Sequence, residues 1–114
     1  MAALDWPGAV ARAVALAPDL AEVRTSQGFL ELLQWNWSEA DETLQRAIRL
    51  NPRYALAYSF HAWLLTTIGR EDDAAVAARR GQELDPLSSA TNGIAALVAY
   101  HRRDYAQSVH ECER

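Results

Sequence analysis

Residues 50–54 read Leu-Asn-Pro-Arg-Tyr, LNPRY, and the reading of this short phrase decides the fold. A related phrase, LAPDL, stands at 16–20, and another, LDPLS, at 84–88. Their prolines, Pro18, Pro52 and Pro86, are evenly spaced, as are the leucines two places earlier, Leu16, Leu50 and Leu84. Small residues keep the same step in Ala13, Ala47 and Gly81, in Gly28, Ala62 and Ala96, and in Ala40, Ala74 and Ser108. Columns aligned at one period mark an internal repeat.

Each column has a physical reason. Two antiparallel helices approach closely only where one offers Gly, Ala or Ser to the side chains of the other. Proline denies a helix its next backbone donor and disfavours α geometry in the residue before it, so Leu-x-Pro marks the place where one helix stops and another starts. The spacing predicts seven helices, at about 5–17, 20–34, 37–50, 54–68, 71–84, 88–102 and 105–114. Asn36 and Ser38 are candidate N-caps, each with an acid three residues on, and Asp104 is a candidate cap for the last helix. Gly69 is placed to end one helix before REDDA opens the next with acids at its positive end.

Composition agrees with an all-α chain. Alanine is abundant, glycine and proline are scarce, and β-branched residues do not cluster. At 114 residues the chain is one domain, able to bury about 65% of its unfolded surface. A net charge of −4 argues against a nucleic-acid or anionic-membrane surface, because phosphate contacts need clustered positive charge. The arginine pairs at 79–80 and 102–103 each lie close to acids. The single cysteine, Cys112, cannot form an internal disulfide, which points to a reducing, cytoplasmic setting. No apolar run approaches the ~18 residues of a membrane span.

The repeat resembles the tetratricopeptide repeat, TPR, a 34-residue helix–turn–helix with small residues at positions 8, 20 and 27 and proline at 32. The resemblance implies a right-handed α-solenoid of antiparallel helix pairs. Repeats run over 21–54 and 55–88, a truncated one over 89–114, and residues 1–20 supply the second helix of a partial repeat. The phrases WNW, GREDDA and ELDPLS are similar to TPR regions that follow winged-helix, adenylate-cyclase or kinase domains in bacterial regulators. One stretch departs from the pattern: Arg24, Gln27 and Glu31 hold positions that are normally large and apolar. An apolar stripe through Leu20, Val23, Leu30 and Leu33 suggests instead a rotated helix or an altered loop before Trp35.

The resemblance also implies a concave groove lined by the first helix of each repeat. Carried over by position, its residues are Thr25 and Ser59; Phe29, Trp63 and Leu97; Leu32, Thr66 and Tyr100; and Leu33, Thr67 and His101. This surface is aromatic and aliphatic, with hydroxyls and almost no charge. It lacks the basic clamp with which chaperone-binding TPR domains hold a C-terminal carboxylate. It suits an apolar peptide or amphipathic helix of a protein partner. Trp35, Trp37, Tyr54, Tyr58 and Tyr105 read as structural aromatics with buried bodies and outward polar tips.

Nothing in the sequence specifies catalysis. There is no Gly-rich phosphate loop and no nucleophile elbow. His110 and Cys112 lie two residues apart, on opposite sides of a helix, and cannot share a metal. Cys112 falls at an apolar core position, His61 faces the interior, and His101 lies on the expected groove. No cofactor and no metal is expected. Both ends should expose apolar surface unless a neighbouring domain or a second copy of the chain covers it. The expected function is a non-catalytic protein-interaction scaffold. The alternatives are a self-associating regulatory module of a multidomain bacterial signalling protein and a small-ligand sensor around Trp63, Tyr100 and His101.

Overall fold

A computed structural model of the protein describes residues 5–102, which form six α-helices. These are α1 (Trp6–Leu16), α2 (Ala21–Leu33), α3 (Trp37–Leu50), α4 (Ala55–Thr67), α5 (Glu71–Leu84) and α6 (Ser89–His101). The period is carried into the backbone, for α2, α4 and α6 start and end at the same step as the prolines, and so do α3 and α5. The seventh helix expected at 105–114, with Asp104, Tyr105, His110 and Cys112, lies outside the described residues.

The turns explain why the Leu-x-Pro phrase recurs. At each one an amide closes back on the carbonyl three residues earlier: Leu20 on Ala17, Tyr54 on Asn51 and Ser88 on Asp85, at 3.1 to 3.3 Å. Each proline is the second residue of such a four-residue turn, where its fixed φ is already correct. A side chain then fastens the turn from the next helix. Arg24 Nε donates to the Pro18 carbonyl at 2.7 Å, Tyr58 Oη to Pro52 at 2.9 Å and Asn92 Nδ2 to Pro86 at 3.0 Å. Three chemically different residues thus perform one task at one register.

This clasp accounts for part of the departure in the first repeat. Arg24 serves as a donor, and its Nη1 also donates to Gln27 Oε1 at 2.9 Å, so the two polar residues satisfy one another. The helix is neither rotated nor shifted, and the loop before Trp35 has its ordinary length. The buried residues of α2 are Ala21, Thr25, Gly28 and Leu32, whereas Leu20 and Leu33 of the supposed stripe are exposed. Gly28 fixes the register: a Cβ there would lie 2.6 Å from the Leu44 side chain.

Caps differ from expectation. Asn36 stands at the start of α3 but its side chain makes no cap bond, and Ser38 lies inside the helix. Asp5 caps α1 by accepting from the Gly8 amide at 3.0 Å, and Ser88 caps α6 by accepting from Thr91 at 3.3 Å. Both hairpins reverse through the left-handed region, at Gly69 with φ 88° and at Trp35 with φ 65°. The amides of Asn36 and Arg70 then reach back to the carbonyls of Glu31 and Leu65, at 2.9 and 2.8 Å, closing each helix end.

The core forms two clusters, one around Leu44 and Leu64 and one around Leu65 and Val98, with the half-buried Phe60 and Trp63 packed against both. Leu44, Leu64 and Val98 are its largest fully buried aliphatic side chains, and each contributes roughly 1.5–3 kcal/mol by leaving water. Ala40, Ala47, Ala62 and Ala74 are fully buried at the helix crossings. The three first helices form a continuous layer, in which α4 touches both α2 and α6. The second helices stand further apart: the backbone of α1 does not come close to that of α3, nor that of α3 to that of α5. One layer is close-packed and the other splayed, so the stack curves with α2, α4 and α6 on its inner side.

Candidate protein-binding surface

On the inner layer the aromatic residues gather. Phe29 stacks on Phe60 at 4.5 Å between ring centroids, meets Trp63 at 5.7 Å, and receives the edge of Trp6 at 5.9 Å. Phe29, Phe60 and Trp63 remain half-buried while packing against the core residues Leu32, Leu64 and Ala40. Their position follows from the repeat. Phe29 and Trp63 share one register in successive repeats, and Phe60 lies one turn before Trp63 on the same helix face. The cluster joins α1, α2 and α4, so it holds repeats together as well as offering an aromatic surface.

The expected groove set divides into three. Phe29, Trp63 and Leu97 are half-buried, the first two in direct ring contact. Leu33, Thr67, Tyr100 and His101 are exposed, and the Tyr100 and His101 rings meet edge to face at 6.3 Å. Thr25, Ser59, Leu32 and Thr66 do not belong to a binding surface. Thr25 is 2% exposed and Ser59 fully buried, with Leu32 and Thr66 nearly so. The reason is the close approach of the two helices within a repeat, where Gly81 of α5 sits directly over Ser59 of α4. Position five of the helix therefore faces its hairpin partner.

The tryptophans at the first hairpin are also placed differently from the reading as buried aromatics. Trp35 is 76% exposed, Trp37 is partly exposed, and the two rings stack at 6.1 Å.

Sequence reasoning places His61 in the interior without its partner. His61 on α4 and Asp41 on α3 are joined by a 2.7 Å hydrogen bond between Nε2 and Oδ1, both side chains being largely covered. Burial pushes the Asp41 carboxyl up. Hydrogen bonds from His61 and Gln45, and the charges of His61 and Arg70, outweigh it and hold the group below its ordinary 3.8. No sequence signal links two residues twenty apart on different helices, so only the packing reveals this pair. At the start of α4, burial raises the Tyr54 phenol above its ordinary 10.0, and the Glu22 charge adds to the rise.

Among the described residues, no group of three or more His, Cys, Asp or Glu side chains is placed to hold a metal ion. No helix among them is long and apolar enough to cross a membrane.

No family model matches the sequence, and no curated protein matches it either. Among solved structures, the chain is similar to one in the structure of Naa15/Naa10 bound to HypK-THB, with a TM-score of 0.77 at 19% identity. The match covers 91% of this chain and 16% of the other, so the sequence spans a small part of that protein's length. At this identity the likeness concerns the fold, and with the helix order it establishes an all-α solenoid of TPR type.

Proposed function

We propose that the protein is a non-catalytic interaction scaffold that holds an apolar peptide or amphipathic helix of a protein partner against its inner layer. One observation carries this reading. The Phe29–Phe60–Trp63 cluster packs against the core without being fully buried, and Leu33 and Tyr100 are exposed on the same layer of helices. Apolar and aromatic surface gathered on an inner curve suits a helix laid into a groove. The similar fold in the Naa15/Naa10 structure occurs within a complex of several components, which supports the same use here. A lone cysteine fits work in a reducing compartment such as the cytoplasm.

The test uses exposed residues, because Trp63→Ala would damage the core it packs against. Peptides selected from a random display library on the immobilised chain should carry apolar residues at helical spacing. Leu33→Asp and Tyr100→Ala should each weaken their binding by about tenfold with the circular dichroism spectrum unchanged. Selected peptides that bind both variants as tightly as the parent would overturn the reading.

A further inference from the structure

The hairpin between α2 and α3 keeps a strained residue that the core does not use. Trp35 is held in the left-handed region at φ 65°, where the next hairpin places Gly69, and its ring is 76% exposed. Backbone strain that local packing does not reward points to a use for the side chain. The ring lies beside that of Trp37, also partly exposed, with 6.1 Å between centroids and 18° between planes. Residues 33–39 are all exposed, so the pair stands open to solvent at the end of the hairpin.

The repeat shows what this hairpin lacks. In the second hairpin Arg70 and Asp73 form an ion pair at 2.8 Å. One repeat earlier their places are held by Asn36 and Glu39. The acid is kept and the arginine is gone. Glu39 is exposed in the first turn of α3 and forms no ion pair among the described residues. The Asn36 side chain makes no cap bond to the helix. Beside this change, Trp35 and Trp37 stand where the second hairpin has Gly69 and Glu71. The first hairpin is thus the second with its guanidinium removed and two indoles added. Arginines nearby in sequence are engaged elsewhere: Arg24 donates to the Pro18 carbonyl and to Gln27, and Arg46 lies toward Asp19. From residue 25 to 45 the chain carries Glu31, Glu39, Asp41 and Glu42 and no basic side chain, and Asp41 is taken by His61.

We infer that the α2–α3 hairpin is a docking site for an arginine side chain of a partner protein, its guanidinium stacked on the Trp35–Trp37 pair and paired with Glu39 as Arg70 is with Asp73. A planar, delocalised cation suits both halves of the site, since it stacks on aromatic faces and pairs with a carboxylate. A nucleic acid or an anionic membrane would meet the acids of this stretch instead. A neutral sugar would leave the Glu39 charge uncompensated. The site is separate from the inner groove and does not depend on it.

The experiment follows the indole N–H and backbone amide signals of the full, isotope-labelled chain on titration with four probes. They are a short capped peptide of Gly, Ser and Arg, its counterpart with citrulline for Arg, a cello-oligosaccharide, and phosphatidylcholine vesicles. The arginine peptide should shift Trp35, Trp37 and Glu39 saturably, and the citrulline peptide should bind about tenfold more weakly. Trp35→Gly should lose the binding with the circular dichroism spectrum unchanged. Asn36→Arg restores the residue of the second hairpin, so it should fill the site from within and weaken the peptide by about tenfold, as should Glu39→Gln. Tyr100→Ala on the inner layer should change none of this, which separates failure here from failure of the groove. Absence of saturable shifts with the arginine peptide, equal binding of the citrulline peptide, or undiminished binding by Trp35→Gly or Asn36→Arg would each overturn the proposal. So would preference for the oligosaccharide or the vesicles, or self-association of the free chain through these tryptophans.

Discussion

Trp35 occupies a backbone conformation that costs a bulky residue roughly 1–2 kcal/mol, where the following hairpin uses Gly69. Its ring is mostly in water and touches Trp37, a contact worth about 0.5–1.5 kcal/mol. Relief of strain should therefore narrowly win. Trp35→Gly is expected to raise stability by roughly half a kcal/mol, seen as a higher urea midpoint at constant slope. A lowered midpoint would mean that the stacked pair is the stronger effect. Gly81 makes the opposite case. Its propensity alone would favour Ala by about 0.5–1 kcal/mol. A Cβ there, however, would lie 2.5 Å from Ser59 Oγ and 3.3 Å from the Ala55 carbonyl. Gly81→Ala should cost about 1–2 kcal/mol, and adding Ser59→Ala should recover most of it, because the Ser59 hydroxyl has no hydrogen-bond partner to lose. An additive double-mutant cycle would sink this account. The sequence places Gly81 in a column of small residues where helices approach closely; the packing shows why glycine rather than alanine stands there.

At the scale of the element, the turn is the unit that repeats. Tyr58→Phe removes the donor to the Pro52 carbonyl and leaves the ring under Arg80, so a loss of about 0.5–1.5 kcal/mol is expected in chemical denaturation. An unchanged midpoint would show the clasp to be ornamental. The link between α3 and α4 should appear as an acid sensitivity. Asp41 titrates below 3.8 in the folded chain, so the unfolded chain takes up its proton first as the pH falls. The stability it confers is full above that value and is lost as the pH drops through the folded one. Asp41→Asn should flatten that part of a stability–pH curve, whereas an unaltered acid limb would remove Asp41 from the cause. Helix positions are legible in the sequence because proline, glycine and small residues report directly on where backbones stop and cross. The first repeat is harder to read because Arg24 and Gln27 break an apolar pattern while still making the hydrogen bonds that the turn needs. WNW, GREDDA and ELDPLS have similarly local explanations, in an exposed ring pair, a hairpin turn and a proline turn.

The molecule as a whole is a curved stack 43 Å long and 29 by 28 Å across, with a tight inner layer and a loose outer one. The shared half-burial of Phe29, Trp63 and Leu97 is legible because one register can be carried along a repeat. The burial of Thr25 and Ser59 is not, because it depends on how deeply one helix sinks into its hairpin partner. The space between α3 and α5 is invisible for a related reason. It arises from α3 and α5 standing apart, and a gap leaves no mark on the residues that border it.

The aromatic arrangement also divides the indoles into two optical classes. Trp6 and Trp63 sit in or against the ring cluster that joins successive hairpins, while Trp35 lies mostly in solvent. Iodide should extinguish the emission of the second class and spare the first. Fluorescence that persists in the quencher then reports on the seam between hairpins, and its disappearance on mild heating, ahead of the loss of helical ellipticity, would time the moment at which the stack comes apart.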